Sequence, residues 1–264
     1  MDLGLKDRVV LVAGASRGLG AATARQFARE GAKVVMAARS REALVRLQED
    51  IYRETGSQSM MVLPTDLTQQ EQVETLIHHA TARFGGLDIL VTNCGGPATG
   101  HFVDLSMAQW QHAADTVLFS VVRLIQTALP HLRRSPIASI LTFSSNSARQ
   151  PVDNMMLANS LRLAVVGLTK TLALELGGEG IRVNSILPAW TQTERVTEIL
   201  TARAAKKGST LEDEIAHQAE ETSLGRLGTP EEFARAAVFL ASPAVPFMTG
   251  VMLGFDGGIY KATL

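Results

Sequence analysis

The chain has 264 residues, a formal net charge of −1 and 46% apolar residues, so we expect one large domain with a sizeable core. This near-neutral charge gives no reason to expect nucleic acid or an anionic membrane as a partner. The sequence has no apolar run of about 18 residues, so it does not predict a membrane span. The single cysteine, Cys94, excludes an internal disulfide and, with no basic-then-apolar leader, favours a cytoplasmic protein.

Short apolar segments alternate with amphipathic ones along most of the chain. The predicted strands are 8–13, 32–38, 60–64, 87–93, 138–144, 181–187 and 250–254. The predicted helices are 18–30, 40–55, 69–84, 107–133, 152–177, 194–206, 210–222 and 230–241. This alternation predicts an α/β fold in which residues 1–264 form a single Rossmann-like domain, a doubly wound parallel sheet with helices on both faces.

A glycine-rich turn follows the first predicted strand. Residues 14–20 read Gly-Ala-Ser-Arg-Gly-Leu-Gly and lead directly into a predicted helix. Glycines at positions 14, 18 and 20 let the backbone approach a pyrophosphate, and the amino end of a helix offers free N–H groups to it. The turn therefore predicts a dinucleotide site.

The end of the second strand distinguishes the two nicotinamide cofactors. NAD sites commonly place a carboxylate there, whereas residues 36–40 read Met-Ala-Ala-Arg-Ser. Arg39, together with Arg17 of the glycine turn, could hold a 2′-phosphate through charge-assisted hydrogen bonds. We therefore favour NADP(H) over NAD(H); the alternative is that both arginines are solvated charges at helix ends.

The third and fourth strands end in further candidate cofactor contacts. Asp66 could accept a hydrogen bond from the adenine amino group or could cap the helix that starts near Gln69. Asn93 and Gly95 flank Cys94, and these small residues let the backbone pass under a ribose. Cys94 is interpreted as a small buried residue rather than a nucleophile, because no histidine is adjacent in sequence to activate it.

The polar segment 189–228 interrupts the alternation and carries two of the predicted helices. An insertion after the carboxyl end of a strand is typical of a substrate lid. The alternative is a pair of surface helices with no role. Trp190, Met155 and Met156 could line an apolar pocket wall or belong to the core.

Taken together, the motifs resemble the short-chain dehydrogenase/reductase family over nearly the whole chain. Besides the glycine turn, the similar segments are 92–95 (Thr-Asn-Cys-Gly), 180–184 (Gly-Ile-Arg-Val-Asn), 187–189 (Leu-Pro-Ala), 225–232 (Gly-Arg-Leu-Gly-Thr-Pro-Glu-Glu) and 249–258. The C-terminal segments are close to the bacterial 3-oxoacyl carrier-protein reductase branch. With the resemblance, the predicted cofactor contacts are Gly14, Ser16, Arg17, Gly18, Leu19, Gly20, Arg39, Asp66, Leu67, Asn93, Gly95, Arg162, Pro188 and Thr193.

The chain departs from the family in its working set of Asn, Ser, Tyr and Lys. Aligning residues 167–170 (Gly-Leu-Thr-Lys) with the family pattern places Ala158 at the tyrosine position and Arg162 at the lysine position. The asparagine position falls on Val117, and the serine position falls on Ser145, which is retained. The predicted catalytic positions are therefore Ser145 for a carbonyl contact, Arg162, and Ala158 as the site of the missing phenol.

A reductase with this set needs another proton donor. The two tyrosines, Tyr52 and Tyr260, lie in the second helix and the C-terminal tail, and neither is followed four residues on by Lys or Arg. Arg162 could hold ribose hydroxyls, but a guanidinium does not release a proton at neutral pH. The substitute candidates are His101, Arg149, Asp153, Asn154 and Asn159.

Three functions remain open on this evidence. The first is an atypical NADP(H)-dependent oxidoreductase acting on a small carbonyl or alcohol; the second is an NADP(H)-binding sensor or inactive partner without turnover. The third is non-redox chemistry in the same cleft, such as elimination or isomerisation, with Ser145 and Arg162 binding an anion. No metal site is predicted.

The predicted helix 152–177 is apolar over more than one face. In the family it resembles, this helix and the one at 107–133 form a subunit interface. A homodimer or homotetramer is therefore expected, the alternative being a helix buried within its own chain.

Overall fold

The computed structural model describes residues 1–263 and contains seven strands and nine α-helices in that range. The strands are β1 (Val9–Ala13), β2 (Lys33–Ala38), β3 (Met60–Pro64), β4 (Ile89–Thr92), β5 (Ser139–Phe143), β6 (Arg182–Pro188) and β7 (Met252–Phe255). The helices are α1 (Gly18–Arg29), α2 (Arg41–Thr55), α3 (Gln70–Phe84), α4 (Met107–Ala114), α5 (Ser120–Leu132), α6 (Met156–Leu176), α7 (Glu194–Lys207), α8 (Leu211–Glu220) and α9 (Pro230–Ala241).

All seven strands lie in one parallel sheet of order β3-β2-β1-β4-β5-β6-β7. β1 lies inside the sheet: Val10 is paired with Val34 of β2 on one side and with Ile89 of β4 on the other. The chain proceeds outward from β1 to β3 and then returns to β4, so the direction of winding reverses between β1 and β4. In sheets of this kind ligands bind outside the carboxyl ends of the strands at that reversal. The predicted doubly wound α/β fold is confirmed.

Helices cover both faces of the sheet and bury two apolar clusters. One cluster joins the sheet to α1, α2 and α9, and it includes Phe143 and Phe233, whose rings meet edge to face at 4.9 Å. The other joins the opposite face to α3, α5 and α6. All five residues of β1 are buried, as expected for a strand covered on both sides.

The predicted helix 107–133 is confirmed as one continuous helical segment with a π-helical turn inside it. α4 ends at Ala114, the π turn covers Asp115–Phe119, and α5 begins at Ser120 with no non-helical residue between them. The turn holds Val117 fully buried. A π turn leaves the helical pattern of apolar residues largely intact, so periodicity alone does not reveal it.

The predicted helix 152–177 begins later than expected, at Met156. Asn154 has a φ of +60°, in the left-handed region that a helix does not use. The side-chain amide of Asn159 donates to the Val152 carbonyl at 2.9 Å, and its oxygen accepts from the Val152 N–H at 3.1 Å. Residues 152–155 are therefore a turn that is clamped to the first turn of α6.

The segment 189–228 contains α7 and α8 and is closed at its base. Thr191 and Gly228 form an isolated parallel bridge, and the Gly228 N–H donates to the Trp190 carbonyl at 3.1 Å. A Cβ at position 228 would lie 2.9 Å from the ring of Phe255, so a glycine is required there. Both ends of the predicted lid are thus held beside the carboxyl end of β6.

Helix α6 has a second apolar face that its own chain does not cover. Its inner side packs on the sheet, while the side chains of Leu163 and Leu174 are 54% and 76% exposed. Residues 156–179 form the one helical segment of residues 1–263 that, by length and composition, could cross a membrane, and an 18-residue stretch of it has a mean hydropathy of 1.2. Buried helices of soluble proteins meet the same criterion.

Candidate active site

The glycine turn is packed tightly against the end of β4. Gly14 and Gly18 have φ angles of +61° and +55°, which favour glycine. A Cβ on Gly20 would lie 2.2 Å from the Gly14 carbonyl oxygen, and the same oxygen accepts a hydrogen bond from the Asn93 side chain at 3.1 Å. The N-cap residue of α1 supplies no side-chain hydrogen bond, so the first N–H groups of the helix are left for a phosphate.

Arg17 forms an ion pair with the predicted lid. Its guanidinium lies 2.8 Å from the Glu198 carboxylate of α7, and the two side chains are 58% and 48% exposed. The hydrogen bond from Arg17 lowers the pKa of Glu198 below its ordinary value. Arg39 is exposed just beyond β2. Sequence reasoning placed the two arginines at the cofactor edge but gave no sign of Glu198.

Asp66 does not cap α3, so that alternative is wrong. The N-cap residue is Gln69, and Asp66 instead accepts hydrogen bonds from the Thr68 N–H at 3.0 Å and the Thr68 hydroxyl at 2.8 Å. The Thr68 N–H is the main cause of a lowered Asp66 pKa, with smaller contributions from the Thr68 hydroxyl and Arg39. The carboxylate therefore stays ionised, as an acceptor next to the ends of β2 and β3.

The remaining predicted cofactor residues lie along the same edge. A Cβ on Gly18 would lie 3.5 Å from Thr193, which caps α7 by accepting from the Val196 N–H. Pro188 ends β6, and Ser16 is half-buried within the glycine turn. The side chains of Leu19 and Leu67 pack against the two apolar clusters, so any cofactor contact they make is through exposed edges or backbone.

Arg162 is buried and joins the ends of two central strands. Only 8% of the residue is exposed, and its guanidinium donates to the carbonyls of Phe143 at 2.8 Å and Gly95 at 3.3 Å. The Arg162 carbonyl in turn accepts from the Ser144 hydroxyl at 2.9 Å. The guanidinium has five N–H donors, so these two bonds leave others for a ligand. Its charge stands at the carboxyl ends of β4 and β5.

Ser145 and Ala158 lie on either side of the same region. Ser145 follows β5 in extended conformation, and its hydroxyl oxygen accepts from the Ser147 N–H at 3.1 Å, which leaves the hydroxyl proton to donate elsewhere. Ala158 is half-buried in the first turn of α6 and precedes Arg162 by four residues, so the two share one helix face.

Two of the substitute proton donors are engaged in other contacts. Arg149 donates to the Met252 carbonyl, and its guanidinium carbon lies 5.5 Å from the centre of the Tyr260 ring. Asn159 uses both of its amide groups on Val152. By contrast, the structure brings together His101 and Asp153, with Nδ1 and Oδ1 3.9 Å apart.

The structure also describes the surroundings of the single cysteine, the metal-binding potential of the chain and a neighbouring cleft. Cys94 is half-buried, with its sulfur 4.0 Å from the Val117 carbonyl. Within residues 1–263 no cluster of three or more His, Cys, Asp or Glu side chains could hold a metal ion. A cleft of about 1100 Å³ lies between α1 and α7, lined in part by Gly18, Thr193 and Glu198, and sequence reasoning did not predict it.

Comparison with known proteins places this arrangement among related enzymes. A family profile described as enoyl-(acyl carrier protein) reductase matches residues 14–260. The 3-oxoacyl-[acyl-carrier-protein] reductase of Thermotoga maritima is 30% identical over 255 residues, covering 97% of this chain and 98% of that protein.

Two solved structures are similar over nearly their full length. The L-sorbose reductase of Gluconobacter frateurii, complexed with NADPH and L-sorbose, has a TM-score of 0.94 and 28% identity and covers 99% of this chain and 100% of its own. An NADPH-bound short chain oxidoreductase from Pseudomonas aeruginosa PAO1, described as containing an atypical catalytic center, has a TM-score of 0.89 and 28% identity. That match covers 98% of this chain and 99% of the other.

Proposed function

The chain belongs to the short-chain dehydrogenase/reductase family, and on that premise we propose that it is an NADP(H)-dependent oxidoreductase that acts on a small carbonyl or alcohol without the usual tyrosine. The observation that carries the proposal is a tight glycine turn suited to a dinucleotide, together with Ser145 just after the strand end that Arg162 contacts. The tight turn at Gly14 and Gly20, and the uncapped start of α1, form the phosphate end of the cofactor edge.

NADP(H) is favoured as the cofactor by the charges at this edge. No carboxylate stands at the end of β2, and Arg17 and Arg39 supply two guanidiniums where a 2′-phosphate would lie. The NADPH-bound relatives from Gluconobacter and Pseudomonas support the same choice. Asp66 would accept from the adenine amino group, and Arg162 would reach ribose hydroxyls with its remaining N–H groups.

In the proposed reaction the cofactor would transfer the hydride, and side chains of the protein would bind the substrate oxygen. A bound nicotinamide supplies or accepts the hydride. Ser145 would donate its hydroxyl proton in a hydrogen bond to the substrate oxygen, and the buried Arg162 would add positive charge near the alkoxide. Ala158 has no proton to give, and a missing acid catalyst costs roughly 10²–10⁴-fold in rate.

Steady-state kinetics test this proposal. Purified protein should consume NADPH in the presence of a carbonyl panel that includes a ketose, a 3-oxoacyl thioester and an aryl ketone. Ser145→Ala should reduce kcat/KM by at least about tenfold, because it removes the hydrogen bond to the developing alkoxide. Ser160→Ala, at an exposed position of α6, is the matched control. NADPH binding without consumption across the panel would reject the proposal.

A second function is an NADP(H)-binding sensor or inactive partner. It is favoured by the simultaneous departures at Val117, Ala158 and Arg162, which leave the cofactor edge intact while removing three of the four working groups. Calorimetry would then show cofactor binding, and no panel member would be reduced. Non-redox chemistry with Arg162 as an anion site is less favoured, because two of its nitrogens already bind main-chain carbonyls.

The state of the protein in the cell is part of the proposal. We place it in the cytoplasm as a single-domain homodimer or homotetramer with a small-molecule substrate, and segment 189–228 acts as the lid. The exposed side chains of Leu163 and Leu174, with Phe119 of the π turn, support a subunit contact through α6 and its neighbour.

A further inference from the structure

We propose that His101, oriented by Asp153, donates the proton that the missing phenol would supply to the substrate oxygen. This inference rests on the proposed reductase function and names the catalytic acid of that same site. His101 belongs to the loop that follows β4, and Asp153 belongs to the turn before α6. The two side chains are the pair of candidate donors that the fold brings together.

The backbone fixes His101 beside the start of α6. Gly100 and Met155 form an isolated parallel bridge, the Gly100 N–H donates to the Asn154 carbonyl at 2.8 Å, and the Met156 N–H donates to the Gly100 carbonyl at 3.4 Å. His101 follows directly, while Ala158 lies two residues after Met156. The backbone that carries His101 is thus held next to the helical turn that lacks the phenol.

The turn that carries Asp153 is held rigidly. Asn154 adopts the left-handed conformation, and the two hydrogen bonds between Asn159 and Val152 clamp the turn to α6. A residue kept in a sparsely populated conformation by its surroundings is common where a side chain must be aimed. The fold therefore places Asp153 in a turn next to His101, with the two side chains 3.9 Å apart.

The geometry of the pair matches an acid with an orienting carboxylate. His101 Nδ1 lies 3.9 Å from Asp153 Oδ1, so Nε2 is the nitrogen that remains for a substrate. Such pairs are commonly long before substrate binds and shorten in the reacting complex. The side chains are 59% and 93% exposed, so water can return a proton to the imidazole after each turnover.

Two of the other candidate donors, Arg149 and Asn159, are engaged elsewhere. Arg149 binds the Met252 carbonyl and cannot release a proton at neutral pH, and Asn159 spends both amide groups on Val152. Tyr260 lies over the Arg149 guanidinium. Among the candidates, an imidazole is also the side chain that most often transfers protons in enzymes.

In the reduction direction, the substrate carbonyl would receive one hydride and one proton. The carbonyl carbon accepts a hydride from a reduced nicotinamide dinucleotide, and the carbonyl oxygen takes the Nε2 proton of the His101 imidazolium. The C=O π bond breaks while one C–H and one O–H bond form, and the dinucleotide leaves oxidised. The neutral imidazole then regains a proton from water, and Asp153 would orient the ring by closing on Nδ1–H from its present 3.9 Å.

A pair of ketones distinguishes a proton donor from a structural residue. Trifluoroacetophenone gives a less basic alkoxide than acetophenone and needs less help from an acid. His101→Gln should therefore lose roughly 10²-fold or more in kcat/KM on acetophenone and far less on trifluoroacetophenone. Asp153→Asn should show the same preference with a smaller loss, because it acts through His101. His112→Gln, at an exposed position of α4, is the control and should match wild type.

The outcomes separate this inference from the function on which it rests. Equal losses on the two ketones, or no loss, in His101→Gln would overturn the role of His101 while leaving a reductase. Failure of wild-type protein to reduce these ketones and every other member of the carbonyl panel, although it binds NADPH, would overturn the proposed function itself.

A second readout does not depend on turnover. In protein labelled with ¹⁵N-histidine and loaded with NADPH, the alcohol product phenylethanol cannot react. Its addition should shift the ring resonances of His101, which are identified by their absence in His101→Gln, and leave those of His112 unchanged. Unmoved His101 resonances would show that the imidazole does not contact the substrate.

Discussion

At the scale of single residues, the site is defined by how little room surrounds the glycine turn. Gly14, Gly20 and the Asn93 side chain meet at one point, where a single added carbon has no space. The sequence predicted that these glycines approach a ligand. The structure adds that Gly20 must also approach the protein's own backbone, which no local pattern could reveal.

Gly20→Ala should abolish NADPH binding and destabilise the fold by about 1–3 kcal/mol, because its Cβ would clash with the Gly14 carbonyl and force the turn to move. Fluorescence titration with NADPH and thermal unfolding measure the two effects. Gly86→Ala is the matched control, since no atom lies within 4 Å of the added Cβ. A Gly20→Ala variant that binds NADPH like wild type would contradict this description of the turn.

Contacts between residues distant in sequence could not be predicted either, because a local pattern carries no information about them. The sequence assigned Arg162 to the ribose, but its bonds to the Phe143 and Gly95 carbonyls depend on how β4, β5 and α6 pack. Likewise, His101 and Asp153 were separate candidates, and the backbone contacts of Gly100 with residues 154–156 bring them together. The sequence therefore predicted the candidate residues and local motifs, whereas the contacts between residues distant in sequence could be identified only from the structure.

At the scale of elements, the strands and the long helices were predicted, and the details inside and at the start of two helices were not. Continuous apolar runs such as residues 34–37 identify buried strands directly. The π turn at Asp115–Phe119 lies inside a continuous helix, and α6 begins four residues later than predicted. Asn159 holds the turn before α6 through a side-chain contact that periodicity does not register.

The contact between α7 and the glycine turn makes a prediction about cofactor choice. Glu198→Gln should remove the ion pair with Arg17, raise the affinity for NADPH modestly and leave the affinity for NADH unchanged. The reason is that Glu198 competes with a 2′-phosphate for the same guanidinium. Calorimetric titration with both cofactors measures this, with exposed Glu220→Gln of α8 as the control. Equal changes for NADPH and NADH would rule the competition out.

The start of α9 makes a prediction about pH. The Arg226 guanidinium, followed by the Thr229 N–H, lowers the pKa of Glu232 from 4.5 to about 2. Because the folded pKa lies below the unfolded one, the stabilisation is complete above about pH 4.5 and disappears as the pH falls toward 2.

Thermal unfolding of Glu232→Gln should therefore lie below wild type at neutral pH, with the difference shrinking as the solution is acidified through that range. Glu231→Gln, its exposed neighbour, should show no such convergence. A Glu232→Gln deficit that stays constant with pH would mean that the ionised carboxylate is not the stabilising form.

At the scale of the whole molecule, the sheet carries the candidate cofactor residues at the carboxyl ends of its strands, and helix α6 on one of its faces has an apolar side that the chain does not cover. The double substitution Leu163→Glu and Leu174→Glu places charges on that face of α6 and should reduce the mass measured by light scattering after size exclusion. Leu224→Glu, equally exposed but in the segment 189–228, should leave the mass unchanged. An unchanged mass for the α6 variant would place the subunit contact elsewhere.

The order of the sequence motifs was sufficient to predict the fold, and the central proposal concerns the reaction. A family scaffold carries Ser145 and a buried Arg162 around a methyl group at Ala158, and the proposed oxidoreductase must move a hydride without the phenol. The most direct measurement follows the hydride: NADPH with deuterium at the transferable position of its nicotinamide is mixed with trifluoroacetophenone and wild-type protein. Deuterium on the carbinol carbon of the product is the expected result. Bound NADPH that retains all of its deuterium would contradict the proposed function.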